Sequence, residues 1–73
     1  MNIKNNLKQI RLEKGLSQTE VAKAINVNVS SVSYWENGTY EPKAIYIYRL
    51  AKYFDVTSDY LLGLEDERTN AKI

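Results

Sequence analysis

A chain of 73 residues makes one small domain, close to the lower limit for folding without staples. With no cysteine and no histidine, disulfides, thiolate sites, the usual metal ligands and the commonest general base all drop out, and no EF-hand spacing appears. The net charge of +1 is not the footprint of a strongly basic nucleic-acid binder, although residues 1–35 hold Lys4, Lys8, Arg11, Lys14 and Lys23 against Glu13 and Glu20, so this half is mildly basic.

Helix 1 is expected from Asn2 or Asn5 to Lys14. Ile3, Leu7 and Ile10 form its apolar stripe, with Gly15 as a left-handed stop and Leu16 packing back on the helix end. Lys4, Lys8 and Lys14 read as solubilising charges. No run of about 18 apolar residues is present, so no membrane span is expected. The opening MNIKNNLKQI lacks the apolar core of a signal peptide. The absence of cysteine fits a reducing cytoplasm.

Ser17-Gln18-Thr19-Glu20 has the spacing of a capping box: the Ser17 hydroxyl accepts from an orphan N–H, and Glu20 reciprocates. Val21, Ala22 and Ile25 then recur at helical spacing, and Asn26, which tolerates the left-handed conformation, ends helix 2. Asn28 is placed to cap helix 3, from about Val29 to Asn37, with Val32 and Trp35 as its apolar stripe. Val29, Ser30, Ser33 and Tyr34 share the opposite face, which carries no charge. That face is either a surface built to touch something or a solvent face that happens to be serine-rich.

Asn37-Gly38 stops helix 3, and Pro42 is suited to the start of the next helix. Helix 4 is expected from about Lys43 to Phe54, with Ala44, Ile47, Leu50, Ala51 and Phe54 on its core face. Ile45, Tyr46, Tyr48 and Tyr53 are surplus, and some of them must be exposed. Asp55-Val56 ends the helix. Thr57 caps a last short helix, Ser58 to Leu62, with Gly63 as its stop. The polar, aperiodic residues 65–73 are expected to form a flexible tail or the start of a linker beyond a domain at 1–64.

GLSQ, the Val21-Ala22 pair, VSYWENG, Pro42, Leu50-Ala51 and DYLLG occur here in one order. Together with Arg11 they make the stretch from about Ile3 to Leu64 resemble the phage repressor and Cro-type helix-turn-helix domains, the xenobiotic-response-element class. The resemblance implies an all-α, compact five-helix, lambda-repressor-like domain in which helices 2 and 3 form the motif. It implies a transcriptional regulator, most often a repressor, that binds a two-fold-symmetric double-stranded DNA operator as a homodimer. It implies no cofactor and no enzymatic activity, and no nucleophile–base arrangement or phosphate-cradling loop argues otherwise.

Arg11 matches the family's helix-1 arginine, and Glu36 occupies the position of its acidic partner, so the resemblance implies a structural ion pair. It also puts Gln18 on a backbone phosphate, where the open first turn of a helix suits an anion. Asn28, Asn37, Thr39 and, more weakly, Lys43 are the further phosphate candidates. Base reading falls to Val29, Ser30, Ser33 and Tyr34. Val29 stands where several relatives carry Gln or Arg, so apolar contact with a thymine methyl replaces a bidentate bond, and part of the specificity is expected from DNA shape. Tyr46, Tyr48, Ser58 and Tyr60 are the dimer candidates. The alternative function is the antidote half of a toxin–antitoxin pair with the same fold and an added toxin-binding surface. A third reading is a protein-interaction module whose helix 3 docks a protein.

Overall fold

The structure, a computed structural model, describes residues 5–64. The expectations for Asn2, Ile3, Lys4 and residues 65–73 lie outside these. Among the described residues there are five helices: α1 (Leu7–Glu13), α2 (Gln18–Ile25), α3 (Val29–Asn37), α4 (Ala44–Phe54) and α5 (Ser58–Leu61). α2 packs on α3 and α4, α1 packs on α3, and α4 packs on α5.

One core joins all five. Leu7 and Ile10 of α1 meet Val21, Ala22 and Ile25 of α2, Val32 and Trp35 of α3, Leu50 and Phe54 of α4, and Leu61 of α5. These are the stripes that helical spacing places on one side of each element. Leu16, Ile47 and Ala51 pack at the rim of this core. Ala44 departs from the expectation: it is exposed. It lies in the first turn of α4, where it borders an open concavity between α4 and α5 instead of facing the core.

Short helices need their ends satisfied, since each leaves four N–H and four C=O groups without an intrahelical partner. The capping box at α2 is complete: Glu20 N–H donates to Ser17 Oγ at 3.0 Å, and Ser17 N–H donates to Glu20 Oε1 at 2.8 Å. Thr57 caps α5, its side chain accepting from the Tyr60 N–H. Asn28 occupies the N-cap position of α3, but its side chain makes no capping bond.

The C-terminal ends share one device. Asn26 at φ 65° and Asp55 at φ 59° turn left-handed where α2 and α4 stop. The next residue then donates back across the turn, Val27 to the Ala22 carbonyl at 2.9 Å and Val56 to the Ala51 carbonyl at 3.0 Å. Leu16 does the same after Gly15, donating to the Arg11 carbonyl at 3.1 Å. Each of these three apolar residues lands on the core rim, so the turn that ends a helix also adds to the packing.

α1 begins at Leu7, later than Asn5, because the two asparagines before it are engaged elsewhere. Asn5 Oδ1 accepts the Leu7 N–H at 3.0 Å, while Asn5 Nδ2 donates to the Trp35 carbonyl at 3.0 Å. Asn6 donates from Nδ2 to the Tyr60 carbonyl at 2.7 Å and from its backbone to the Leu61 carbonyl at 2.9 Å. The start of α1 is thus tied to the end of α3 and to α5.

Candidate nucleic-acid interface

α3 is held at its C-terminal end and shows one face outward. Val32 and Trp35 are buried, which leaves Val29 at 44 % exposure, Tyr34 at 43 %, Ser30 exposed and Ser33 half-buried on the other side. The single charged residue of the helix is Glu36, and its side chain is only 4 % exposed. The outward face therefore carries donors, acceptors and apolar carbon without a charge.

Glu36 is neutralised by a fork. Arg11 Nε donates to Glu36 Oε2 at 2.6 Å and Nη2 donates to Oε1 at 3.0 Å, the paired geometry that guanidinium and carboxylate favour. Arg11 Nη1 donates to the Leu16 carbonyl at 2.8 Å. One side chain thus connects α1, the link to α2 and the last turn of α3. Hydrogen bonding to Glu36 raises the Arg11 pKa above the ordinary arginine range, against the opposing effect of burial.

Gln18 completes this cluster. Its Nε2 donates to Glu36 Oε1 at 3.0 Å, so the amide points at the ion pair. The amide carries two N–H groups, of which this bond uses one. Gln18 is also the first residue of α2, where helical N–H groups have no partner within the helix. The side chain has a structural bond, and the helix start beside it keeps donors suited to an anion.

The segment after α3 arranges its donors unevenly. Asn37 Oδ1 accepts the Thr39 N–H at 2.9 Å and the Thr39 hydroxyl at 2.5 Å. Thr39 N–H also reaches the Tyr34 carbonyl at 3.0 Å. Both Thr39 donors are spent inside the loop, which leaves the Asn37 amide N–H groups as the outward donors of the pair. Asn28, with no capping bond, and Lys43, at the N-cap of α4, are both exposed.

The four dimer candidates divide. Tyr46 is half-buried against Trp35, ring centroids 5.5 Å apart, with the Arg49 guanidinium 5.5 Å from its centroid. Tyr60 is half-buried against the core. Tyr48, at 59 % exposure, and Ser58 line the concavity between α4 and α5 with Ile47, Ala51 and Val56. Tyr46 is therefore not a surplus aromatic: the stripe on α4 is wider than its spacing alone suggested, because Trp35 offers a flat surface beside it.

Several residues escaped the sequence reading. Arg49 donates from Nη1 to the Ile25 carbonyl at 3.1 Å and so covers the end of α2. Asn5 and Asn6 clip α1 in place. Tyr40 packs against Tyr34, with centroids 5.2 Å apart and rings at 86°. No local pattern marks the first three, whose partners are far along the chain. The stop at Asn37-Gly38 did place Tyr40 just past the last turn of α3.

Two helices meeting at a tight left-handed turn, with the second presented outward and locked from behind, define a helix-turn-helix domain. The chain belongs to that family: residues 7–61 match the family described as "Helix-turn-helix". It is 33 % identical over 72 residues to the HTH-type transcriptional activator BcrR of Enterococcus faecalis, covering 99 % of this chain and 35 % of BcrR. It is 34 % identical over 64 residues to the cryptic phage CTXphi transcriptional repressor RstR of Vibrio cholerae, covering 88 % of this chain and 56 % of RstR. The HTH-type transcriptional regulator ImmR of Bacillus subtilis is 29 % identical over 66 residues, 90 % of this chain and 52 % of that protein. The chain thus spans from about a third to somewhat over half of these relatives. Among solved structures, a transcriptional regulator from Listeria innocua superposes with a TM-score of 0.76 at 34 % identity, covering 85 % of this chain and 58 % of that one.

Proposed function

We propose that this chain is a sequence-specific double-stranded DNA-binding transcriptional regulator, without enzymatic activity, that reads the major groove with α3. The observation that carries this reading is the uncharged outward face of α3, whose single acid is turned inward and held by Arg11 and Gln18. The names of the relatives support it. Repression is the favoured mode, because a domain seated on an operator blocks access without a second surface. The antidote alternative has no observation in its favour.

Val29, Ser30, Ser33 and Tyr34 supply base contacts. Phosphates are held by the open start of α2 at Gln18, by Asn28, by the free amide of Asn37 and by Lys43, while Thr39 holds Asn37 in place. These contacts set register and affinity. A single domain of this size has a small footprint, so the operator complex is a homodimer on half-sites about one helical turn apart, ~34 Å. The concavity lined by Tyr48 and Ser58 supports α4 and α5 as the contact. The site of action is where the DNA is, in the cytoplasm.

Selection of bound duplexes from a random pool tests this reading, with recovered sites re-measured at two salt concentrations. The expected result is a palindrome whose affinity falls with salt and whose sequence preference blurs in a Ser30→Ala, Tyr34→Ala double variant. No enrichment with wild-type protein overturns it.

A further inference from the structure

We propose that Tyr40, outside the recognition helix, is a positioning residue for base reading: it holds the Tyr34 ring in the orientation in which that ring meets the bases. The inference rests on the DNA-reading function proposed above and deepens it.

Tyr34 is an exposed residue in the second half of α3 and Tyr40 lies in the segment that follows the helix. An exposed tyrosine on a helix ordinarily exchanges between staggered rotamers. Here the Tyr40 ring stands at 86° to it with centroids 5.2 Å apart, the edge-to-face arrangement that aromatic quadrupoles favour. Tyr40 is itself 63 % exposed and is absent from the core and its rim, so Tyr34 is its aromatic partner among the described residues.

The backbone between them is fixed by three bonds. Thr39 N–H donates to the Tyr34 carbonyl at 3.0 Å, and the Tyr40 N–H approaches the same carbonyl at 3.5 Å. Asn37 Oδ1 holds the Thr39 N–H from the other side at 2.9 Å. Residues 37–40 thus fold back on the last turns of α3 and carry Tyr40 to the flank of the reading face.

The consequence is preorganisation. A ring already in its bound orientation loses less freedom on binding. Its phenol O–H then donates to a base acceptor in the major groove, N7 or O6 of guanine or O4 of thymine, and its face covers a thymine methyl. Without Tyr40 the Tyr34 ring is released, and discrimination falls at the bases beneath it while phosphate contacts stay.

The test compares the base preference of the wild type, Tyr40→Ala, Tyr40→Phe, Tyr34→Ala and the Tyr34→Ala, Tyr40→Ala double variant on every single-base change of the recovered half-site. The expected result is that Tyr40→Ala loses about threefold to tenfold of discrimination. The loss falls at the same base pairs as in Tyr34→Ala, the double variant is no worse than Tyr34→Ala, and Tyr40→Phe keeps the wild-type profile because it keeps the ring. An even loss of affinity across all sequences, a loss at different base pairs, or full additivity in the double variant overturns this inference and leaves the DNA-reading function standing. Failure of the wild type to select any duplex overturns both.

Discussion

Arg11 is worth more as a clamp than as a charge. Its three nitrogens serve Glu36 and the Leu16 carbonyl at once, and it is 8 % exposed. Replacing it by Met strands the Glu36 carboxylate in a buried site, a change that costs ~3–5 kcal/mol. Urea denaturation of Arg11→Met should show that loss, and Arg11→Lys should recover only part of it, because an ammonium is a point charge without the planar fork. The raised Arg11 pKa fixes where the contribution of its charge is lost. A cation whose folded pKa is above its unfolded one contributes fully below the unfolded value and loses that contribution as pH rises through the folded one. Both lie in strong alkali. Stability curves of the wild type across the neutral range should therefore show no step from the Arg11 guanidinium.

At the scale of the element, the helices depend on their ends as much as on their stripes. α5 is 4 residues and α1 is 7, lengths that do not persist alone in water. Ser17→Ala removes half of the α2 capping box and should cost about 1 kcal/mol, read as a fall in thermal midpoint of about 4–8 °C for a domain of this size. Asp55 holds φ 59° with a Cβ that this conformation disfavours. Asp55→Gly should therefore raise the stability and Asp55→Ala lower it, each by about 1 kcal/mol or less, with the thermal midpoint moving in the same direction. A lowered midpoint in Asp55→Gly would mean that the aspartate side chain stabilises the turn by more than the strain it introduces.

These element ends were legible residue by residue: Ser17 with Glu20, Asn26, Gly38 and Thr57 announce their roles within four positions of where they act. The core stripes were legible too, from Leu7 to Leu61. The sequence does not mark Val27 and Val56 as packing residues, because neither belongs to a helical stripe. They become core only once the left-handed turn before each swings the chain back. Ala44 was placed on the core face by period alone, and period does not say how far the neighbouring helix reaches.

For the whole molecule, the mild positive charge of the first 35 residues and the open starts of α2 and α3 favour a salt-sensitive complex. Gln18→Glu sets a second carboxylate beside Glu36, where the amide now donates. It should weaken binding to every duplex alike and leave base preference intact, as measured by competition between recovered and scrambled sites. Tyr48→Glu puts a charge into the concavity between α4 and α5. Sedimentation with operator DNA should then show one protomer per operator where the wild type shows two, while the isolated chain keeps its thermal midpoint, since Tyr48 is an exposed side chain.

The sequence by itself determined five helices, their stops, the apolar stripes and the face of α3 that would be left over. All of these follow from periods and caps that act within a few residues. The resemblance added the Arg11–Glu36 partnership, which no local pattern could name. What only the tertiary structure decided are the contacts between distant segments. The Gln18 amide turns to Glu36, Tyr46 packs half-buried against Trp35, Asn5 and Asn6 fasten α1 to α3 and α5, and Arg49 covers the end of α2. In each case a polar or aromatic side chain had several satisfactory local fates. The choice among them was made by whichever unpaired carbonyl, carboxylate or ring the packed helices brought within reach.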